Sequence, residues 1–389
     1  MARRGARAKR IAATKTPTLS TPCRTSRAME EELVSALRKL GHDVLVVGPG
    51  FYENASFGGE SKLISLIRSH LPLALGELAE LAYNVPAYGR LHRASRTFRP
   101  DLIYERYNLY YLAGTILARF TGVKLFLEVN APLSAERSSH GGLRMQHIAR
   151  WLERSVWRSA DRVLAVTGVL KDMIANTGVP SQRIEVVPNG IDPDRFIGLP
   201  SRQQPGGPLV LGFVGFVRDW HGLDAVITAM TAHPNIPLEL VVVGDGPALP
   251  ALQRQAAELG IADRVRFMGL QQHDAVPGLI AGFDIALQPR VVTYASPLKL
   301  FEYMAAGKAI VAPNQPNIRE TLTDGETALL FDPAEPDAMW QAICRLAVDS
   351  PLRDRLGTAA LEEITRRNYT WRGNAERICR WAASGGYVP

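Results

Sequence analysis

The chain has 389 residues, 46% of them apolar, which is enough for two domains that each bury a core. Its longest apolar stretch, Leu71 to Tyr83, is interrupted by Pro72, Gly76, Glu77 and Glu80, well short of the roughly 20 residues of a membrane span. The formal charge of +7 is concentrated at the start: residues 1–27 hold eight Lys or Arg and no acid, leaving 37 basic and 38 acidic side chains elsewhere. A body of net charge −1 has no polyanion footprint, so nucleic acid is excluded as a partner.

Residues 1–27 read as a basic, irregular extension. They lack the apolar segment of a secretory signal but loosely resemble a transit peptide. Other readings are a solvated arm touching anionic lipid headgroups at the inner face of the membrane, or a start wrongly assigned upstream of Met29. Arg10 to Thr14 is a poor candidate for a buried strand. Cys23, Cys344 and Cys379 are isolated thiols with neither disulfide nor zinc spacing, which fits a reducing, cytoplasmic compartment.

From residue 28 the sequence alternates short β-branched runs with longer amphipathic stretches, the pattern of parallel βαβ units. Strands are expected at Asp43–Val47, Asp101–Arg106, Lys124–Asn130, Arg162–Thr167 and Ile184–Val187, with helices at Glu30–Leu40, Leu109–Phe120 and Leu143–Arg158. A Gly- and Pro-rich linker at 198–208 divides this first domain, 28–197, from a second, 209–370. There the expected strands are Leu209–Val214, Leu238–Val243, Val265–Met268, Asp284–Gln288 and Ala309–Ala312, with helices at Leu223–Ala232, Pro250–Leu259 and Leu298–Ala306. No strand is expected after Phe331, and a last helix over 371–389 crosses back to the first domain.

Tyr294 to Lys308 (YASPLKLFEYMAAGK) is the most informative segment. Ser296 suits a helix N-cap, Pro297 the first helical position and Leu298 the first apolar one. Free N–H groups and a positive dipole end there offer a diphosphate site, with Lys299 close by and Glu302 one turn further in. An ordinary capped helix with solvated charges is the alternative. Gly244 to Pro247 (GDGP) follows an apolar strand where a doubly wound sheet presents its cleft. In GFVGFVRDWHGLD, Gly215 permits close backbone approach, Arg218 is placed to clamp phosphate, and His221 is either a ligand-facing donor or a loop-finishing residue. Asp192 and Asp194 read as turn and cap residues, and no metal site or obligatory metal or other cofactor is expected.

Taken in order, ADRVLAVT, RIEVVPNGIDPDRF, GFVGFVRDWHGLD, VVVGDGP, RVRFMG, SPLKLFEYMAAGKAIVAP and DGETALLF resemble glycosyltransferase family 4, group 1, over roughly Leu33 to Trp371. The resemblance implies an α/β, GT-B fold: two Rossmann-like parallel-sheet domains facing each other across a cleft. It implies a metal-independent, retaining transfer of a sugar from a nucleotide-sugar donor to a glycan, lipid or small-molecule acceptor. Glu302 matches the second glutamate of the family's E-x7-E pattern, which hydrogen-bonds the ribose. Tyr294 stands where the first should be. Phe216 and His221 take the places of the family's Arg and Lys, leaving Arg218 and Lys299 as basic substitutes. Met268 and Gly269 match the turn that reads the base, and Asn130 stands for a donor-contacting histidine. Glu105 and Arg106, which end a first-domain strand, and Gly58 and Gly59 of FGGE are either acceptor-side candidates or structural residues. The missing glutamate also motivates a second reading, a GT-B protein that binds nucleotide sugar or a partner without transfer. A Rossmann dehydrogenase is excluded by the lack of an early G-x-G-x-x-G.

Overall fold

The computed structural model describes residues 8–14, 24–48, 73–139, 141–199 and 207–384. The chain forms two compact units, Met1–Pro188 with Asn374–Pro389, and Asn189–Gly373. The division therefore falls before the 198–208 stretch, of which residues 200–206 lie outside the described residues. Gly190 explains why Asn189 starts the second unit. A Cβ there would stand 2.6 Å from the backbone nitrogen of Trp371, and Ile191 pairs with Thr370.

The first unit is a six-stranded, wholly parallel sheet in the order β2-β1-β3-β4-β5-β6. Its strands are β1 (Arg10–Thr14), β2 (Asp43–Val47), β3 (Leu102–Arg106), β4 (Lys124–Val129), β5 (Arg162–Ala165) and β6 (Ile184–Val186). β1 corrects the sequence reading: RIAAT is a central strand, with Ile11 fully buried and registered between Val44 and Leu102. Its alanines carry little apolar signal because neighbouring elements, not its own side chains, fill the space. A helix, Arg24–Lys39, also begins inside the basic leader. Two leader residues are structural: Lys9 donates its ammonium to the Ala382 carbonyl, and Arg10 donates its backbone N–H to Asp101 at 2.8 Å.

The second unit holds β7 (Leu209–Val214), β8 (Leu238–Val243), β9 (Val265–Gly269), β10 (Ile285–Leu287), β11 (Ala309–Pro313) and β12 (Leu329–Phe331). All are parallel, in the order β12-β11-β10-β7-β8-β9. The three-residue β12 was not anticipated as a strand. Alternate residues serve opposite faces: Leu211 and Phe213 enter one apolar core, Val210 and Ala286 the other. Burial on both faces is what makes LVLGFV and LELVVV read as continuous apolar runs. Counted from β9, the order is 3-2-1-4-5-6, which reverses between β7 and β10. A doubly wound sheet binds ligands outside the carboxyl ends of the strands at such a reversal.

Candidate active site

Three loops of the second unit meet beyond β7, β8 and β10. The first two interlock through their backbones: Gly215 N–H donates to Val243 O at 2.9 Å, and Val217 N–H to Asp245 O at 2.9 Å. The contact is too close for side chains. A Cβ on Gly244, whose φ is 133°, would lie 1.9 Å from Gly215 O, and one on Gly246 2.1 Å from Val217 O. The GDGP glycines thus let two loops pack.

Gly215, at φ 147°, leaves room for Lys299, whose Nζ lies 3.0 Å from the position a Cβ would take. The ammonium sits 3.7 Å over the Phe213 ring, and burial drags its pKa down from 10.5 to about 7 against the pull of Glu302. Lys299 is carried by the Leu298–Ala305 helix, which starts where expected but takes Pro297 rather than Ser296 as its N-cap. Pro297 makes no side-chain cap, while Ser296 is held instead by Asn189, whose Nδ2 donates to Ser296 O at 2.6 Å. On the next turn Glu302 is 8% exposed. Burial raises its pKa, opposed by His273, Lys299 and Arg195.

Beyond β7, the Arg218 N–H donates to His221 Nδ1 at 3.1 Å, which leaves the imidazole proton on Nε2. Burial, with Lys299 and Arg218 nearby, holds His221 down at about 3, so it is a neutral donor. The Arg218 guanidinium lies between two half-exposed rings, 4.8 Å from Phe216 and 4.9 Å from Trp220. Beyond β10, exposed Arg290 packs on Gly222, its Cδ 3.0 Å from the absent Cβ. Arg290 thus stands at the start of the Leu223–Ala232 helix, where the dipole disfavours a cation unless an anion joins them. Cations on two loops and two helix N-termini therefore meet at the β7/β10 reversal. That is a site for a polyanion such as a diphosphate.

The family described as Glycosyl transferases group 1 matches residues 208–349, and Glycosyltransferase Family 4 matches 31–195. The chain belongs to glycosyltransferase family 4. It is 27% identical over 341 residues to 2-deoxystreptamine glucosyltransferase of Streptomyces kanamyceticus, covering 81% of this chain and 87% of that protein. With D-inositol 3-phosphate glycosyltransferase of Corynebacterium jeikeium it shares 26% over 369 residues, 88% and 84% of the two chains. HepE of Anabaena, solved with UDP and glucose, superimposes with a TM-score of 0.71 at 19% identity over 97% of this chain and 100% of that one, and the fold is GT-B.

In this glycosyltransferase, several residues lie where sequence reasoning did not look. Arg290 was missed, although it follows β10 by three residues and the strand-order reversal points to it. Arg195 and His273, both facing Glu302 electrostatically, were also missed; Arg195 donates to His273 O at 2.8 Å and to Asp274 at 3.1 Å. The 289–297 loop, where Tyr294 replaces the first glutamate, hangs on two buried amides. Gln288 donates to Arg290 O at 2.6 Å, and Asn317 to Val292 O at 3.1 Å and Ala295 O at 2.8 Å. The side-chain oxygens of Gln288 and Asn317 are buried without a partner. Met268 bulges from β9, its carbonyl accepting from Gln271, and Gly269 O accepts from Gly244 N–H at 2.9 Å. Both carbonyls are thus engaged within the protein.

In the first unit, Asn130 donates to Glu128 at 2.7 Å, and Arg106 lies 3.6 Å from the same oxygen. Tyr104 donates to the other Glu128 oxygen. Of the two readings of Glu105, its surroundings fit the structural one. It is 1% exposed, receives hydrogen bonds from Thr14 and the Gly114 backbone, and is pushed up by burial to about 8. A Cβ on Gly114 would lie 1.9 Å from its oxygen, so this carboxyl is packing. Gly58 and Gly59 lie outside the described residues. Asp192 accepts from Asp194 N–H at 3.2 Å at the head of a short 3-10 turn. Among the described residues no three His, Cys, Asp or Glu are grouped to hold a metal, and no helix is long and apolar enough to cross a membrane.

Proposed function

We propose that the chain transfers a sugar from a nucleotide-sugar donor to an acceptor hydroxyl with retention of anomeric configuration and without a metal or other cofactor. The observation that carries the reading is the Lys299–Glu302 turn at the β7/β10 reversal, with Arg218, His221 and Arg290 around it. The first turn of the Leu298–Ala305 helix and Lys299 take the diphosphate, and Glu302 accepts from the ribose hydroxyls. Arg218 and neutral His221 donate toward charge that develops on the leaving phosphate. Residues near Met268 and Gly269 face the base through their N–H groups, because their carbonyls are already engaged.

Without a metal, the leaving charge falls on these fixed cations alone. The isolated thiols fit a reducing cytoplasm. For the acceptor, 2-deoxystreptamine and D-inositol 3-phosphate, named for the two relatives, are the first compounds to try, ahead of glycans and lipids. The test is turnover across a nucleotide-sugar panel, with and without EDTA, and NMR of the product's anomeric coupling. A retained configuration formed in EDTA is expected; an inverted product, or activity restored by manganese, overturns the mechanism. The substitution of the first glutamate by Tyr294 favours the second reading, a chain that binds nucleotide sugar without transfer. Tight nucleotide binding without transfer or donor hydrolysis across that panel would establish it instead.

A further inference from the structure

Two cations of the second unit's site rest on aromatic rings, where acids would ordinarily pair with them. The turn after β7 is anchored by the fully buried Val217, whose N–H meets Asp245 O at 2.9 Å and whose carbonyl accepts from Ala248 N–H at 3.4 Å. With Val217 turned into the core and Arg218 in extended backbone, the side chains of Phe216 and Arg218 leave the loop on its outward side. The next residues close a 3-10 turn, His221 N–H on Arg218 O at 3.0 Å, which returns Trp220 to the guanidinium.

Arg218 is thereby held 4.8 Å from the centre of the Phe216 ring and 4.9 Å from that of Trp220. His221 meets Phe213 edge-on at 5.1 Å and Trp220 at 6.1 Å, while Lys299 lies 3.7 Å over Phe213. Among the described residues neither Arg218 nor Lys299 makes an ion pair. Phe216 and Trp220 are 41% and 42% exposed, so neither is a core residue, and what they share is the guanidinium between them. A ring attracts a cation through its quadrupole but carries no charge, so it fixes the guanidinium without neutralising it. An acid partner would neutralise it. Stacking covers the two faces and leaves the in-plane N–H groups for an oxyanion. Position 216, where the family has arginine, thus holds a ring that supports the arginine two residues on.

We propose that Phe216 and Trp220 are positioning residues of the transfer reaction, which together hold the Arg218 guanidinium, still fully charged, against the terminal phosphate of the leaving nucleoside diphosphate. This rests on the donor-site reading, which Glu302 tests separately.

The test is calorimetric titration of UMP and UDP, GMP and GDP, and AMP and ADP into the full chain and its variants, each checked by its unfolding transition. Phe216→Leu with Trp220→Leu should lower diphosphate affinity about tenfold, as Arg218→Ala does, and leave monophosphate affinity within about twofold. Each single change should lose less. Phe216→Tyr with Trp220→Phe, which keeps both rings, should restore diphosphate affinity. In an Arg218→Ala background the two leucines should change it no further. Equal loss of monophosphate and diphosphate, or a loss that persists without Arg218, overturns the proposal. So does unchanged diphosphate affinity in the folded leucine pair. If instead the parent favours no diphosphate over its monophosphate, or Glu302→Ala binds both as the parent does, the donor-site reading itself fails and the proposal with it.

Discussion

The two sheets treat the point where their strand order reverses in opposite ways. In the first unit the reversal lies at β1 and β3, and Glu105 fills the space there with a buried carboxyl bonded by Thr14 and Gly114. In the second it lies at β7 and β10, where Lys299, Arg218 and Arg290 gather and the buried Glu302 lies on the turn behind Lys299. A reversal closed by the protein's own neutral acid contributes packing. One that holds a buried lysine beside two arginines keeps a desolvated cation that is destabilising until an anion arrives, and that imbalance marks a binding site.

The comparison breaks most visibly at Lys299. Lys299→Met should lower turnover by about 100- to 1000-fold, as removal of one fixed donor to developing charge does elsewhere, while nucleotide binding falls less. The sign of its pH linkage is set by the depressed pKa. Between about 7 and 10.5 the native chain holds fewer protons at this site than the unfolded chain, so the free enzyme's stability from this group rises with pH across that window. A bound diphosphate reverses the shift. Nucleotide binding should take up a proton above pH 7 and weaken toward pH 9, measurable by titration calorimetry in buffers of different ionisation enthalpy. Lys299→Met should abolish the uptake.

Arg218→Ala should have an intermediate effect, lowering kcat about tenfold with a smaller change in KM, since its guanidinium is stacked rather than ion-paired. Equal loss in kcat/KM through KM alone would assign it to ground-state binding. The smallest effect belongs to the other sheet. Glu105→Gln should leave turnover near that of the parent and act on stability: a carboxyl raised from 4.5 to about 8 contributes stability that is lost as pH rises through that window. Urea titrations at pH 5 and pH 8 should show a shallower pH dependence in the variant. Lost activity in Glu105→Gln at intact stability would mean that the first reversal, too, is a working site.

Much of the second unit was legible because both faces of its strands are buried. Leu209–Val214 and Leu238–Val243 match the expected ends, and Trp371–Ala383 is one continuous helix. β1 was not legible, since in RIAAT only Ile11 is a large apolar residue and the two alanines beside it weaken the apolar run. β12 was missed because three residues set no period. At the site, local chemistry points to Lys299 and Glu302, one turn apart on a single helix, and to Arg218 in the turn after β7. Ser296 was misread because its partner, Asn189, lies 107 residues away. Asn317 and Gln288 act on a loop through buried amides, and nothing in a linear pattern distinguishes them from ordinary polar residues.

The central claim is that the nucleotide sugar is held in the second unit by the Leu298–Ala305 helix, and Glu302 tests it most directly. Calorimetric titration of the accepted donor's nucleoside diphosphate into the parent, Glu302→Ala and Glu302→Gln should give affinities lower by about ten- to a hundredfold for Ala. A smaller loss is expected for Gln, whose oxygen still accepts one bond, with both variants folded by their unfolding transitions. Unchanged affinity in folded Glu302→Ala would place the nucleotide elsewhere and contradict the account.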